Sequence, residues 1–157
     1  MASNAYKLVE SDWSTLSAIE SFYNEVAELA EEAREIVDSA PESLQSSPRI
    51  KTLSETADTL EGIEQRNPPD TAAEQKFKVM LYVPKRKSDR TSRAVRLENA
   101  AMLAEQACGM IESWCDAEAE ELKDGADDPT EEWHLFIEEV REDIERTEGV
   151  EFPGMMG

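Results

Sequence analysis

The feature that most constrains the fold of this chain is a repeat of apolar residues, alternately three and four positions apart, in its first third. This spacing places the residues on one side of an α-helix, which has about 3.6 residues per turn. We therefore predict a helix from about Ser11 or Asp12 to Ser39, ended by Pro41. The seam consists of Leu16, Ile19, Tyr23, Val26, Ala30, Ala33 and Val37, with Phe22, Leu29 and Ile36 beside it. A stripe this wide is typical of a helix in a bundle.

Three further segments have the same periodicity. The second helix is predicted to begin at Ser47 as N-cap, with Pro48 at its first position, and to end at Asn67. The third runs from Thr91 or Ser92 to about Lys123, and the fourth from an Asp128 cap to Gly149. Their predicted inward residues are Ile50, Leu53, Ala57, Leu60 and Ile63, then Leu97, Ala100, Ala104, Ala107, Ile111 and Trp114, and finally Trp133, Phe136, Ile137, Val140 and Ile144.

One segment, residues 77–83, has the alternating pattern of a β-strand and ends at Pro84. A single strand leaves its backbone hydrogen-bonding groups unpaired. It must therefore pair within its own chain, pair with another copy, or lie as an extended strap over the helices. A basic connector, Lys85 to Arg90, follows it.

These elements predict a mainly α protein with two antiparallel helical hairpins, joined by one short strand and a basic connector. We predict a single domain, 1–157, with hairpins at 11–67 and 91–148, the strand and connector at 76–90, and a short tail at 149–157. A four-helix bundle is the economical arrangement. An elongated pair of hairpins that forms a homodimer is the alternative.

The two cysteines and the apolar runs predict an intracellular protein. Cys108 and Cys115 lie in the predicted third helix with Cα atoms about 10 Å apart, too far for a disulfide, so we expect reduced, half-buried core thiols. No apolar run approaches the roughly 20 residues of a membrane span. Met1 to Leu8 lacks the apolar core of a signal peptide. We therefore expect a cytoplasmic protein without a membrane partner.

Charge is distributed unevenly along the chain, whose formal net charge is −20. Lys76 to Arg96 contains eight basic residues and one acidic residue, so this segment carries +7 and the other residues carry −27. Glu112 to Glu148 contains sixteen acidic and three basic residues, a net charge of −13. A body this acidic repels nucleic acid and anionic lipid, and it favours partners with basic surfaces.

The basic residues have two interpretations. They contact the phosphates of a nucleic acid, or they lie against acidic helices of the same protein or of a second copy. We favour the second interpretation, so direct nucleic-acid binding is not expected. The residues concerned are Lys85, Arg86, Lys87, Arg90, Arg93 and Arg96.

Two acidic segments, Glu31 to Glu35 and Glu55 to Asp58, fit the spacing EExxE…ExxD. This spacing resembles the magnesium-binding pattern of the all-α nucleotide pyrophosphohydrolases, in which such acids hold the metal ions that bridge a nucleotide's phosphates. The resemblance implies magnesium ligands at Glu32, Glu35, Glu55 and Asp58. Their heptad positions oppose this assignment, because all four lie away from the apolar seams and metal ligands in a bundle converge on its interior.

Parts of the chain resemble small, acidic, uncharacterised proteins encoded by bacteriophages. The resemblance rests on Pro41 to Ser47, Ser54 to Ile63 and the ending Glu151 to Gly157, and it covers the first two helices and the last residues. It implies a bacterial host cell, where small acidic phage proteins often bind and inhibit host enzymes or defence complexes. It assigns no functional residues.

These observations predict a non-enzymatic protein-binding module, without a cofactor, that inhibits a host or defence factor through its acidic surface. The candidate contacts are Glu138, Glu139 and Glu142 in the fourth helix and Phe152 and Met155 in the tail. The tail either docks into a partner's groove or folds back over the helices. The expected partner is a protein with a basic surface, such as a nucleic-acid-binding protein. The alternatives are a DNA mimic and a magnesium-dependent nucleotide pyrophosphohydrolase.

Overall fold

The computed structural model of the chain describes residues 5–69, 74–121 and 130–153. The elements in chain order are β1 (Tyr6–Ser14), α1 (Thr15–Ser39), α2 (Pro48–Glu61), β2 (Lys76–Pro84), α3 (Arg93–Glu121) and α4 (Glu131–Thr147). The fold is mainly helical, as the sequence predicts, and it also contains a two-stranded antiparallel sheet.

The N-terminal residues form a strand where a helix start is predicted. β1 extends to Ser14, and α1 begins at Thr15. The Ser14 hydroxyl oxygen caps α1 by accepting a hydrogen bond from the Ser17 backbone N–H at 3.1 Å. The prediction of a helix start at Ser11 or Asp12 was therefore wrong. Pairing with β2 satisfies the backbone groups on the side of this segment that faces β2, and helical periodicity carries no information about such a partner.

The predicted strand 77–83 lies within β2, which pairs antiparallel with β1 from Tyr6 opposite Pro84 to Ser14 opposite Lys76. Of the alternatives open from sequence, the structure shows pairing within the chain. Side chains alternate between the two faces of the sheet. Phe77 and Val79 are buried against the helices, whereas Met80, on the other face, is 44% exposed.

The buried apolar residues follow the predicted seams of all four helices. α1 packs against α2 and α3, and α3 packs against α4. Leu29 in α1 and Ile111 in α3 have no exposed surface. Ala33, Val37, Ile50, Leu53 and Ala57 form a second, smaller cluster between α1 and α2. The core therefore consists largely of the residues that the periodicity selects.

The start of α2 agrees with the prediction, whereas its end does not. Ser47 caps α2 as predicted, accepting from the Ile50 N–H at 3.3 Å. α2 ends at Glu61, however, and not at Asn67, because Gly62 follows and the chain then leaves the helix. Residues 122–129, which include the predicted end of the third helix at Lys123 and the predicted Asp128 cap, lie outside the described residues.

Cys108 and Cys115 are both free, as expected, and they are fully buried in the core where half-buried side chains were predicted. Burial raises the pKa of the Cys108 thiol to about 12, so the thiol stays protonated at neutral pH. None of the helices in the described parts of the chain is long and apolar enough to cross a membrane.

Candidate protein-binding surfaces

The two arginines that begin α3 neutralise acidic residues of α1. The Arg93 Nε lies 2.9 Å from Glu32 Oε1, and an Arg96 guanidinium nitrogen lies 2.8 Å from Glu32 Oε2. Arg96 also pairs with Glu25 and Glu28. The hydrogen bond from Arg96 is the main cause of a lowered pKa at Glu32. This half of the basic segment lies against the protein's own acidic helix, in agreement with the favoured interpretation.

The other half of the basic segment faces solvent. Lys85, Arg86, Lys87 and Arg90 are exposed, and none of them makes a salt bridge to any described residue. The Lys85 backbone N–H donates to the Ala5 carbonyl at 2.8 Å, which holds the connector at the end of the sheet. These four residues form a small cationic patch on an otherwise acidic protein.

The four acids of the magnesium pattern do not converge on a pocket. Glu32 is paired with Arg93 and Arg96, and Glu35 and Glu55 are exposed. Asp58 accepts a hydrogen bond from Arg34, which also binds Glu61 at 2.7 Å. Arg34 thus already supplies positive charge between α1 and α2. Within residues 5–69, 74–121 and 130–153, no group of three or more acids, histidines or cysteines is placed to hold a metal ion.

An acidic stripe runs along the outer side of α4 at spacings of four and three residues. It consists of Glu131, Leu135, Glu138, Glu142 and Glu145, all of which are exposed. Leu135 is 58% exposed in the middle of the stripe. None of the four glutamates forms a salt bridge with any residue that the structure describes. The stripe therefore combines uncompensated negative charge with one exposed apolar side chain.

Glu139, the third predicted contact on α4, differs from Glu138 and Glu142. It is partly buried and lies 3.2 Å from an Arg66 guanidinium nitrogen. Its charge is therefore already compensated within the protein. We accordingly leave Glu139 out of the acidic stripe.

Asp143 on the inner side of α4 is the centre of a buried polar network that sequence reasoning missed. It is 1% exposed and accepts from the Tyr23 hydroxyl at 2.6 Å and from Arg66 Nε at 2.7 Å. Arg146 donates to its other oxygen at 3.2 Å. Burial and the hydrogen bond to Asp143 raise the pKa of Tyr23. The sequence does contain one indication of this network: Asp143 lies three positions after inward-facing Val140, and this spacing places it on the same side of the helix.

A groove of about 1070 Å³, the α3 groove, lies along one side of α3. It is bounded on one side by β2 and on the other by the end of α4 and the residues that follow it. Its apolar lining includes Val79, Met80, Val95, Ala101, Met102, Ile144 and Phe152. Glu98, Glu105, Glu148 and Glu151 also line it, and the described lining residues include no lysine or arginine. Residue periodicity cannot reveal this groove, because three separate elements form it.

The tail folds back over the helices as far as it is described. Phe152 is 8% exposed and belongs to the main core cluster. The Thr56 hydroxyl donates to the Glu151 carbonyl at 2.6 Å, and Arg49 Nε donates to the Pro153 carbonyl at 3.3 Å. Phe152 therefore packs internally instead of standing out as a docking residue. Met155 lies outside the described residues.

No protein-family model, curated protein or solved structure shows significant similarity to this chain.

Proposed function

We propose that this protein is a non-enzymatic binding module whose acidic stripe on α4 contacts a basic surface of a partner protein. The observation that carries the proposal is the set of four exposed glutamates without arginine partners, arranged around exposed Leu135. By contrast, Glu25, Glu32, Glu61 and Asp143 are each paired within the chain. Together with the phage resemblance, this favours an inhibitor of a bacterial host or defence factor built on a four-helix bundle.

The electrostatics of the stripe supply a mechanism. Exposed carboxylates attract a basic partner at long range and mainly increase the rate of association. Salt weakens this attraction, since the Debye length is about 8 Å at physiological ionic strength. Leu135 adds an apolar contact that salt does not weaken. Affinity is therefore expected to fall steeply with salt without vanishing.

The test uses two variants with the same change in net charge. Glu138→Gln with Glu142→Gln neutralises the stripe, whereas Glu35→Gln with Glu55→Gln neutralises two exposed acids of α1 and α2. Tagged wild-type protein and both variants are used to capture partners from a bacterial lysate at low and high salt, with quantitative mass spectrometry. We expect a partner that the stripe variant loses and the control variant retains. Equal loss in both variants would show that only net charge matters and would reject the stripe.

Competition with duplex DNA separates a DNA mimic from a general binder of basic surfaces. A partner released from the stripe by DNA uses its nucleic-acid site to bind this protein. The closely spaced, unpaired carboxylates of the acidic stripe are the observation that favours a DNA mimic. A partner unaffected by DNA indicates a basic surface of another kind.

A further inference from the structure

One edge of β2 faces away from β1 and carries unpaired backbone groups. The Tyr82 N–H donates to Asn99 Oδ1 and Asn99 Nδ2 donates to the Tyr82 carbonyl, both at 2.9 Å, so the backbone of Tyr82 points away from β1. Alternate residues of an unbroken antiparallel strand point the same way. The N–H and C=O of Met80 therefore also point away from β1, and no described residue bonds to them.

This open edge forms one wall of the α3 groove. Val79 and Met80 both line the groove, next to lining residues of α3 that run from Ala94 to Gln106. From Ala94 to Gln106 there are twelve residue steps, which in a helix span about 18 Å. A groove of this length accommodates five or six residues of extended chain. The Asn99 amide already pairs with Tyr82 as a neighbouring strand would. The position of a third strand beside Met80 is empty among the described residues.

The charge of the groove indicates the chemistry of its occupant. Glu105 is partly compensated by Arg141, whose Nε lies 3.6 Å away. Glu148 and Glu151 are exposed and make no salt bridge to a described residue. A ligand with apolar side chains on one face and lysine or arginine on the other would match both the lining and this rim.

We propose that the α3 groove binds an extended, basic segment of a partner protein, which adds as a third strand to the Met80 edge of β2. Its apolar side chains lie over Ala101 and Met102, and its basic side chains reach Glu148 and Glu151. The inference rests on the proposed function of binding basic proteins, but it assigns a second surface, separate from the acidic stripe.

The sheet supplies its own control for this proposal. Leu8 lies opposite Tyr82 in the ladder, so its N–H points outward from the opposite edge, on β1. Leu8 is 49% exposed, close to the 44% of Met80, and Leu8 is not among the groove's lining residues. Proline is tolerated at an edge where the lost N–H faces solvent. Met80→Pro and Leu8→Pro therefore each remove one outward donor from the same sheet.

The experiment measures binding of a fluorescein-labelled peptide of eight alternating valine and lysine residues by fluorescence anisotropy. Loss of one hydrogen bond is expected to weaken binding about threefold to tenfold in Met80→Pro, with no change in Leu8→Pro. A peptide methylated on alternate backbone nitrogens cannot form the strand hydrogen bonds from those nitrogens. It should therefore bind to wild-type protein more weakly than the unmodified peptide does. Ala101→Trp, which fills the groove without altering the strand, should abolish binding. Circular dichroism confirms that each variant is folded.

Several results would overturn the inference. The first is equal binding of the valine–lysine peptide to wild-type protein and to Ala101→Trp. The second is equal weakening of its binding in both proline variants. The third is tighter binding of an amphipathic leucine–lysine helix, unaffected by Met80→Pro. The stripe variant Glu138→Gln with Glu142→Gln should bind the valine–lysine peptide like wild-type protein. A negative result for peptide binding in the groove would therefore not reject the acidic stripe. The proposed function is tested separately, by capture of partners from lysate.

Discussion

The acidic residues between α1 and its neighbours and those on the outer side of α4 have the same chemistry but different surroundings. Glu32 contacts Arg93 and Arg96, and Glu61 contacts Arg34. The glutamates of the acidic stripe contact no described cation. A count of acids along the sequence treats the two regions alike. The fold separates acids that hold helices together from acids that remain able to bind another molecule.

The comparison predicts that the first kind of acid contributes to stability and the second kind to binding. Internal arginines decide which acid belongs to which kind. The basic segment divides in the same way, since Arg93 and Arg96 are paired while Lys85, Arg86 and Lys87 are not. The following changes test the division, from the largest expected effect to the smallest.

Asp143→Ala should give the largest loss of stability. It removes a buried acid, leaves Tyr23 without its partner and leaves Arg66 with Glu139 alone among the described residues, and breaking a buried charge network in this way typically costs about 3–5 kcal/mol. Urea unfolding followed by circular dichroism gives the free energy. A loss below about 1 kcal/mol would contradict the buried network, since such values are typical of exposed pairs.

Leu29→Ala and Ile111→Ala should each reduce the free energy of unfolding by about 2–5 kcal/mol, the range for truncation of buried apolar side chains. Both side chains are fully buried. Leu44 is exposed, so Leu44→Ala is the matched control. It should change the free energy of unfolding by about 0.5 kcal/mol or less. Losses that small at both core positions would mean that the wrong helix faces have been assigned to the core.

Arg96→Met should cost about 1 kcal/mol at neutral pH, as expected for a partly exposed network of ion pairs. The pKa of Glu32 is lowered in the folded protein. Its contribution is therefore present above its ordinary pKa and is lost as pH falls through the lowered value. Urea unfolding of both proteins at several pH values should show their difference shrinking in acid. A difference independent of pH would assign the loss to packing instead.

Glu138→Gln with Glu142→Gln should change the free energy of unfolding by about 0.5 kcal/mol or less, because neither acid is paired. The same variant should lose the captured partner. A marked loss of stability would show that these acids also hold the fold, and the division would fail.

The smallest expected effect concerns nucleotide chemistry. We expect no pyrophosphate release from nucleoside triphosphates with magnesium or manganese, because arginines already compensate two of the four candidate ligands: Arg34 pairs with Asp58, and Arg93 and Arg96 pair with Glu32. Pyrophosphate release is measured by a phosphate assay coupled to a pyrophosphatase. Turnover that disappears in Glu35→Gln and Asp58→Asn would identify the protein as an enzyme.

The sequence predicted most of the helical core but only part of the candidate surfaces. Residues such as Ile19, Val26, Ile111 and Val140 were found because burial on one side of a helix repeats every three or four positions. Glu138 and Glu142 were identified as surface acids on the same basis. The pairing of Glu139 with Arg66 could not be found in this way, since Arg66 is 73 residues away in the chain.

By itself, then, the sequence determined the helices, the side of each that is buried, the strand at 77–83, and the excess of negative charge. These follow from local periodicity and composition. Only the tertiary structure decided that residues 6–14 form the partner strand, which acids are neutralised, and where β2, α3 and the end of α4 enclose a groove. Those features depend on contacts between residues far apart in the chain, and such contacts leave no periodic signal in either partner alone.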